Sequence, residues 1–349
     1  MSLMPLTARA LVLVALAALL SCARAPAPET IVLRGEALGA FYAVTVAAPP
    51  EGVDKAVLRE VVEETLDRIN RLMSTYREDS ELSRFNRYAD AAPFPLSPET
   101  YAVFEMAQRI AAESDGAFDV TIGPLVNAWG FGPDAFDAPP DDETVQALLE
   151  RVGYRKLRLH EDGSISKRRP EIYCDLSGIA KGYAVDAVAE ALETRGVTRY
   201  LVEVGGEIRV LGRNPSGEPW AIGIEAPLPD RRELHTVVRM TRGALATSGD
   251  YRNLYEVEGR LVSHTIDPET GQPIQHGLAS ASVVHESCAM ADGYATALMA
   301  LGPERAHAFA VEHDLAALLI VRDDAQDDFE AIATPAFQTL LSEHERSSK

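Results

Sequence analysis

Oxygen-bearing side chains at helical spacing are the first chemical signal in the sequence. Asp292 and Thr296 lie four residues apart in an otherwise small and apolar segment, Ser287–Ala300, which predicts a helix. Residues four apart share one face of a helix, so this carboxylate and this hydroxyl would lie one above the other. Such oxygen ligands suit Mg²⁺, which leaves its other positions to substrate phosphates and water. A solvated face or a local Thr–Asp hydrogen bond is the alternative for this segment alone.

A second segment combines a helix start with a positive charge. Asp175-Leu-Ser-Gly-Ile-Ala-Lys-Gly182 follows a predicted strand, Glu171–Cys174, and opens a predicted helix, Ile179–Thr194. The first N–H groups of a helix are unpaired and favour anions, and Lys181 would add a point charge nearby. An Asp-capped helix with small residues for close packing is the alternative.

A histidine lies at the end of a third predicted element. His264 belongs to the predicted strand Leu261–Ile266, which runs into a turn rich in Pro and Gly. At a sheet edge an imidazole could act as a base or orient a phosphate. A hairpin turn with an uninvolved histidine is the alternative.

Composition limits the partners of these groups. The chain has 349 residues, 46% of them hydrophobic, with 33 basic and 53 acidic side chains and a formal charge of −20. Such an acidic surface repels phosphate backbones, so we expect no nucleic-acid partner. A phosphorylated ligand would need a local cation, a few placed basic residues or backbone N–H groups. GxSxG, HExxH and Walker A motifs are absent from the sequence.

The N-terminal residues predict export. Residues 1–21 carry one basic residue and then the apolar run Ala10–Leu20, which is typical of a signal peptide. Leu19-Leu-Ser-Cys22 is similar to a bacterial lipobox, so we expect lipidation of Cys22, a tether over 22–30 and a single domain over 31–349. An ordinary cleaved signal is the alternative. Whether Cys174 and Cys288 pair is left open.

The remaining patterns predict an α+β domain, because short antiparallel-looking strands alternate with a few long helices. Besides the segments above, helices are predicted over Asp54–Met73, Ser97–Ser114 and Pro303–His313, and strands over Ile31–Ala48 (as a hairpin), Arg155–Leu159, Tyr200–Val204, Ile208–Leu211, Ala221–Glu225, His235–Thr241, Leu254–Val257 and Ala279–His285.

Six blocks in this order carry a resemblance to a known family. They are Ser74-Thr-Tyr-Arg-Glu-Asp-Ser-Glu-Leu-Ser-Arg-Phe-Asn86, Gly116-Ala-Phe-Asp-Val-Thr121, Asp175-Leu-Ser-Gly-Ile-Ala-Lys-Gly182, Ala246-Thr-Ser-Gly-Asp250, His264-Thr-Ile-Asp-Pro268 and Ala291-Asp-Gly-Tyr-Ala-Thr296. Together they resemble the FAD:protein FMN transferases, the ApbE-like flavin transferases. The resemblance runs from about Gly35 to Leu301, which is essentially the whole predicted domain.

The resemblance implies a fold, a reaction and a location. The fold would be an α+β, T-fold-related unit with antiparallel sheets and flanking helices, and FAD would lie in a cleft between two lobes. The enzyme would be Mg²⁺-dependent and would transfer FMN from FAD to a Thr or Ser hydroxyl of a flavoprotein, releasing AMP. Typical acceptors are subunits of Na⁺-translocating NADH:quinone reductase or Rnf type. The protein would be lipid-anchored on the periplasmic side of a bacterial membrane, with the inner membrane favoured.

The resemblance also implies roles for individual residues. Asp292 and Thr296 would bind the metal with their side chains, and Gly178 with its carbonyl. His264 would be the catalytic base. The residues lining the FAD site would be Leu38, Tyr76, Ala117, Phe118, Asp119, Asp175, Lys181 and Ile266.

The sequence departs from the family pattern at three places. The family often has Met in place of Leu38 and Asp in place of Glu207, which are mild changes. It often has Ala-Leu in place of Gly293-Tyr294, and this change is expected to loosen the metal-binding helix.

A periplasmic FAD pyrophosphatase would have the same site, because the acceptor hydroxyl belongs to another protein. A lipid-anchored FAD-binding protein without chemistry is the third hypothesis.

Overall fold

The structure is a computed structural model that describes residues 29–90, 92–228, 231–250, 254–257, 260–323 and 328–347. The predicted signal peptide, the predicted lipidation site Cys22 and the tether up to residue 28 lie outside these ranges. Within them, no helix is long and apolar enough to cross a membrane.

An antiparallel sheet of eight strands forms the centre of the molecule. The strands of the chain are β1 (Thr30–Ala37), β2 (Ala40–Ala47), β3 (Phe94–Pro95), β4 (Leu157–Leu159), β5 (Ser164–Lys167), β6 (Tyr200–Val204), β7 (Glu207–Leu211), β8 (Trp220–Glu225), β9 (Leu234–Met240), β10 (Arg242–Gly249), β11 (Leu254–Val257), β12 (Arg260–Ser263), β13 (Leu278–His285), β14 (Ala316–Asp323) and β15 (Asp328–Ala333). The central sheet has the order β1-β2-β6-β7-β10-β13-β14-β15, and β3-β5-β4, β8-β9 and β11-β12 form smaller sheets.

Helices flank this sheet. They are α1 (Lys55–Met73), α2 (Glu81–Arg87), α3 (Pro98–Glu113), α4 (Gly123–Ala128), α5 (Asp142–Leu149), α6 (Ser177–Thr194), α7 (Cys288–Leu301), α8 (Pro303–Glu312) and α9 (Pro335–Ser347). Almost every side chain of α7 is buried, and α6 is buried over most of its length. These two helices therefore lie in the interior, where a polar side chain needs a partner or a function.

The two faces of the sheet bury different clusters. On one face Val44, Val202 and their neighbours pack with α1, α3, α6 and α7 in the main core. On the other face Val210 and Ile320 pack with the β8-β9 hairpin and with Phe337 of α9. Alternate residues of a strand point to opposite faces, so the central strands contribute to both clusters: on β14, Ala317 and Leu319 belong to the first, and Leu318 and Ile320 belong to the second.

Helix predictions from periodicity and caps are confirmed. Asp54 accepts hydrogen bonds from the first N–H groups of α1, and the Ser97 hydroxyl accepts one from Thr100 N–H at the start of α3. The helices predicted at Ile179, Ser287 and Pro303 are α6, α7 and α8. The α+β class with antiparallel sheets is confirmed as well.

Three strand predictions are wrong in part or whole. The strand predicted over Arg155–Leu159 begins only at Leu157, because residues 154–156 form a single turn of 3-10 helix. Residues 171–174 do not form a strand. The Asn86 side chain instead donates to Cys174 O and accepts from Cys174 N–H, both at 2.8 Å, so these groups have no need of a strand partner. The strand predicted over Leu261–Ile266 ends at Ser263, and Ile266 makes an isolated bridge with Pro273.

Candidate active site

The predicted metal-binding groups meet where α6 and α7 cross. The Thr296 hydroxyl lies 3.4 Å from Gly178 O, and Asp292, which is 3% exposed, accepts a hydrogen bond of 2.9 Å from Gly182 N–H. The Ser248 hydroxyl on β10 lies 3.3 Å from Thr296 Oγ1. Carboxylate, hydroxyl and carbonyl oxygens thus converge from three elements, and this donor set fits Mg²⁺.

Close packing of the two helices depends on glycine. A Cβ built on Gly182 would collide with the main-chain oxygen of Cys288 and lie 2.8 Å from Asp292 Cβ. At Gly178 a Cβ would lie 3.1 Å from the Phe118 ring and 3.2 Å from the Thr296 hydroxyl. The small residues of the α6 motif therefore let the backbone of α6 approach the polar groups of α7.

A buried aspartate fixes the start of α7. The Asp186 carboxylate, from the middle of α6, accepts hydrogen bonds from Cys288 N–H, Ala289 N–H and the Ser287 hydroxyl. Arg209 of β7 pairs with Asp186 at 2.7 Å. Asp186 therefore sets the register of α7 against α6 at residues 287–289, which lie three to five residues before Asp292.

The pair Gly293 and Tyr294 joins α7 to α3. A Cβ on Gly293 would collide with Ile110, and the Tyr294 hydroxyl donates a hydrogen bond of 2.6 Å to Glu113. The departure from the family pattern predicts a looser packing of this helix. In the structure these residues instead connect α7 to its neighbour by close packing and a hydrogen bond.

An ion pair with one buried partner lies beside the metal-binding groups. Lys181 Nζ of α6 is 2.6 Å from Glu207 Oε1 at the start of β7, and the Glu207 side chain is 3% exposed. Burial raises the pKa of Asp292 and of Glu207 above their ordinary values. Although burial opposes it, Glu207 and Asp292 raise the pKa of Lys181, so its amine is an ammonium near neutral pH.

The turn that contains Leu38 lies next to this pair. Leu38 has a φ of 50° between β1 and β2 and packs against the main core. Gly205 N–H donates to Phe41 O at 2.9 Å, and a Cβ on Gly205 would lie 3.2 Å from both Ala40 Cβ and Lys181 Cδ. The structure thus brings the predicted FAD residues Leu38 and Lys181 to one end of the sheet.

Asp175 is held at the start of α6. Its Oδ1 accepts hydrogen bonds from Ser177 N–H at 2.8 Å and from the Ser177 hydroxyl at 2.5 Å, and its own N–H donates to Val120 O. Burial raises the pKa of Asp175. Burial and the charge of Asp175 also raise the pKa of Tyr76.

The Ala117–Asp119 segment divides between the site and the interior. Phe118 is buried against Gly178, whereas the Asp119 carboxylate accepts from Thr121 N–H, the Thr121 hydroxyl and Tyr154 N–H. Ala117 is half-buried beside them. Both Asp119 oxygens therefore bind the chain itself, which supports the segment that carries Phe118.

Aromatic side chains lie on one side of His264. The His264 ring lies 6.2 Å from the Phe131 ring, and Phe131 lies 5.0 Å from Tyr255. The Tyr76 hydroxyl donates to Phe131 O at 3.1 Å, and 67% of Tyr76 is exposed. Phe131 thus contacts both predicted site residues, and the exposed Tyr76 ring offers a face on which a flat ligand ring could stack.

Ile266 is part of a small hydrophobic cluster. It is 5% exposed and packs with Leu125, Trp129 and Val152 in a small cluster beneath the loop that follows His264. Trp129 Nε1 donates to Gly271 O at 2.8 Å, which anchors the same loop.

The described residues contain no group of three or more His, Cys, Asp or Glu side chains that could hold a metal ion. The predicted set is of another kind, because it combines one carboxylate with a hydroxyl and a main-chain carbonyl. Cys174 and Cys288 are buried free thiols.

Sequence reasoning gave no site role to Glu207, Ser248 or Asp186. Glu207 and Ser248 lie in short turn-like blocks, and Asp186 lies inside a helical pattern. For Asp186, a charged residue among the apolar residues of a predicted helix indicates a buried charge that needs a partner. Glu207 and Ser248 become recognisable only when β7 and β10 are placed against α6 and α7.

Comparisons with known proteins identify the family. A curated protein of Vibrio cholerae named FAD:protein FMN transferase is 44% identical over 95% of this chain and 98% of its own length. Its namesake in Escherichia coli K12 is 37% identical over 91% of each chain. The solved structure of the flavin transferase ApbE from Vibrio cholerae matches with a TM-score of 0.82 and 42% identity, covering 89% of this chain and 99% of that one. Residues 38–319 match the profile of the ApbE family, and with these relatives they show that the chain belongs to that family.

Proposed function

We propose that this protein is an FAD:protein FMN transferase that uses Mg²⁺, transfers FMN to a Thr or Ser hydroxyl of a flavoprotein and releases AMP. Its relatives carry that name at 37–44% identity over nearly their full length. The observation that carries the proposal is the convergence of Asp292, Thr296 and Gly178 beside the Lys181–Glu207 pair.

Charge supports a cation at this place. Asp292 is a buried carboxylate, and burial raises its pKa because the interior solvates its negative charge poorly. A bound Mg²⁺ would offset this charge and would neutralise the pyrophosphate as its bond breaks. Asp292, Thr296 and Gly178 would hold it.

The chain's own groups supply the remaining chemistry. Lys181 would bind the phosphates, and the exposed face of Tyr76 would hold a ring of FAD. His264 would accept the proton of the acceptor hydroxyl. The hydroxyl oxygen then bonds to the phosphorus of the FMN half, and the bond between that phosphorus and the bridging oxygen breaks, so that AMP leaves with the oxygen.

Export completes the proposal. We propose that Cys22 is acylated and that the domain acts on the periplasmic side of the inner membrane, on subunits of Na⁺-translocating NADH:quinone reductase or Rnf type. The apolar run before Cys22 supports this location. Labelling with a radioactive fatty acid in a bacterial host tests it, with Cys22→Ser as the variant that should lose the label.

The reaction is tested by mass spectrometry. Residues 23–349 are incubated with FAD, Mg²⁺ and a purified acceptor domain, and the acceptor is examined for an added FMN mass on one Thr or Ser. An adduct that disappears in Asp292→Ala supports the transferase. Free FMN and AMP without an adduct would indicate a pyrophosphatase, and intact FAD would indicate a binding protein.

A further inference from the structure

Glu207 is a buried carboxylate with a hydrogen bond to only one of its two oxygens among the residues that the structure describes. Its Oε1 bonds to Lys181 Nζ at 2.6 Å. Its Oε2 is buried and has no hydrogen-bond partner among the residues that the structure describes. A buried polar atom without a partner costs free energy, so its presence in a folded protein calls for an explanation.

The surrounding backbone is shaped around this pair. Gly205 has a φ of 66°, and a Cβ there would lie 3.2 Å from Glu207 Oε2 and equally close to Lys181 Cδ. Gly205 therefore leaves the space that the stem of Lys181 and the Glu207 carboxylate occupy. The same Cβ would lie 3.2 Å from Ala40 Cβ at the start of β2, so Gly205 has close neighbours on this side too.

The two partners differ in their access to solvent. The Lys181 side chain is 33% exposed and the Glu207 side chain is 3% exposed. Lys181 is thus the partner that faces solvent, and its ammonium has two further N–H groups that can face a ligand. A flexible lysine stem loses much rotamer freedom when it is fixed, and a buried carboxylate is a strong means of fixing it.

We propose that Glu207 is the positioning residue of Lys181, and that it holds the ammonium where the phosphates of FAD bind. This inference rests on the proposed function, because it assigns Lys181 to those phosphates. Glu207 acts through Lys181 alone and is not the base of the reaction.

A double-mutant cycle tests the inference. The variants are Glu207→Gln, Lys181→Met and the two combined, with Glu207→Asp as the conservative change. Transfer of FMN from FAD to the acceptor domain is measured with Mg²⁺ present, and kcat is separated from KM. Glu203→Gln is the matched control, since Glu203 lies on the opposite face of the same β6-β7 hairpin.

We expect Glu207→Gln to lower kcat about ten- to a hundredfold, because the ammonium is no longer fixed against the phosphates. In the Lys181→Met background the same change should alter kcat by less than about twofold, since coupled residues are not additive. Glu207→Asp should recover most of the loss. An equal fall of kcat in both backgrounds, or an unchanged kcat in Glu207→Gln, overturns the inference.

Two further measurements separate the possible failures. Thermal unfolding should show that Lys181→Met is less stable than the combined variant, because the single change leaves Glu207 buried without its cation. If the unmutated protein binds FAD but forms no adduct, the proposed function fails. The double-mutant cycle is then repeated with FAD affinity as the measured quantity, by flavin fluorescence. If Glu207→Gln changes that affinity equally with and without Lys181, the inference is overturned.

Discussion

At the residue scale, His264 and Asp292 have separate tasks that different measurements can distinguish. His264 lies in an aromatic environment beside Phe131, whereas Asp292 lies between two buried helices. One would move a proton and the other would hold a cation.

Replacing His264 with Ala should lower the rate of FMN transfer about 10²- to 10⁴-fold, the usual contribution of a general base. FAD affinity should change little, since the imidazole acts on the acceptor hydroxyl. Stopped assays of adduct formation and flavin fluorescence titration measure the two quantities. His235→Ala, which changes an exposed histidine of β9, serves as control. An unchanged transfer rate in His264→Ala would show that another group is the base.

Replacing Asp292 with Asn keeps the shape and an oxygen that can accept the Gly182 N–H bond, but removes the charge. We expect Mg²⁺ affinity to fall more than about tenfold, because loss of even an outer-shell partner costs that much. Mg²⁺ titration of the activity gives the affinity. Asp115→Asn, an exposed carboxylate, should leave it unchanged. Equal affinities in the two variants would contradict the assignment.

Asp292 and Thr296 could be predicted from the sequence because helical spacing alone puts them on one face. Gly178 could be named only through the family resemblance, since any residue has a carbonyl. No role for Glu207 could be predicted, because its contact is with Lys181, which lies 26 residues away in the sequence and on another element. Local patterns determine what one element presents, and tertiary packing determines which elements meet.

At the element scale, the site depends on how closely α6 and α7 approach. Gly182 sits at their contact, and Asp186 from α6 caps α7. The sequence indicated both helices, but the failed strand prediction before α6 shows a limit. There the Asn86 side chain, 88 residues away, bonds the backbone of Cys174 and replaces a strand partner.

Replacing Gly182 with Ala should push the two helices apart and destabilise the fold by about 1–3 kcal/mol, the usual cost of overpacking. The new methyl would meet the main-chain oxygen of Cys288, which cannot move as a side chain can. Urea unfolding measures the loss. Glu190→Ala, on the exposed face of α6, should stay within about 0.5 kcal/mol of the unmutated protein. A stable, active Gly182→Ala protein would refute this account of the contact.

At the scale of the whole molecule, a charge of −20 has to accommodate an anionic substrate. Bulk electrostatics disfavour the approach of FAD phosphates, so the attraction must be local. Lys181 would attract the phosphates with its positive charge. A Mg²⁺ ion held by the oxygens of Asp292, Thr296 and Gly178 would add a second positive charge. Binding of the metal and of FAD should therefore be coupled.

The coupling can be measured directly. We expect Mg²⁺ to tighten FAD binding by about 5- to 150-fold, the usual range of coupling between two ligands, and FAD to tighten Mg²⁺ binding by the same factor. Flavin fluorescence titrations with Mg²⁺ and with EDTA give the first factor, and Mg²⁺ titrations with and without FAD give the second. In Asp292→Asn both factors should approach one. FAD affinity that is equal in Mg²⁺ and EDTA would mean that Lys181 and the backbone alone overcome the acidic charge, and that the metal serves no role in binding.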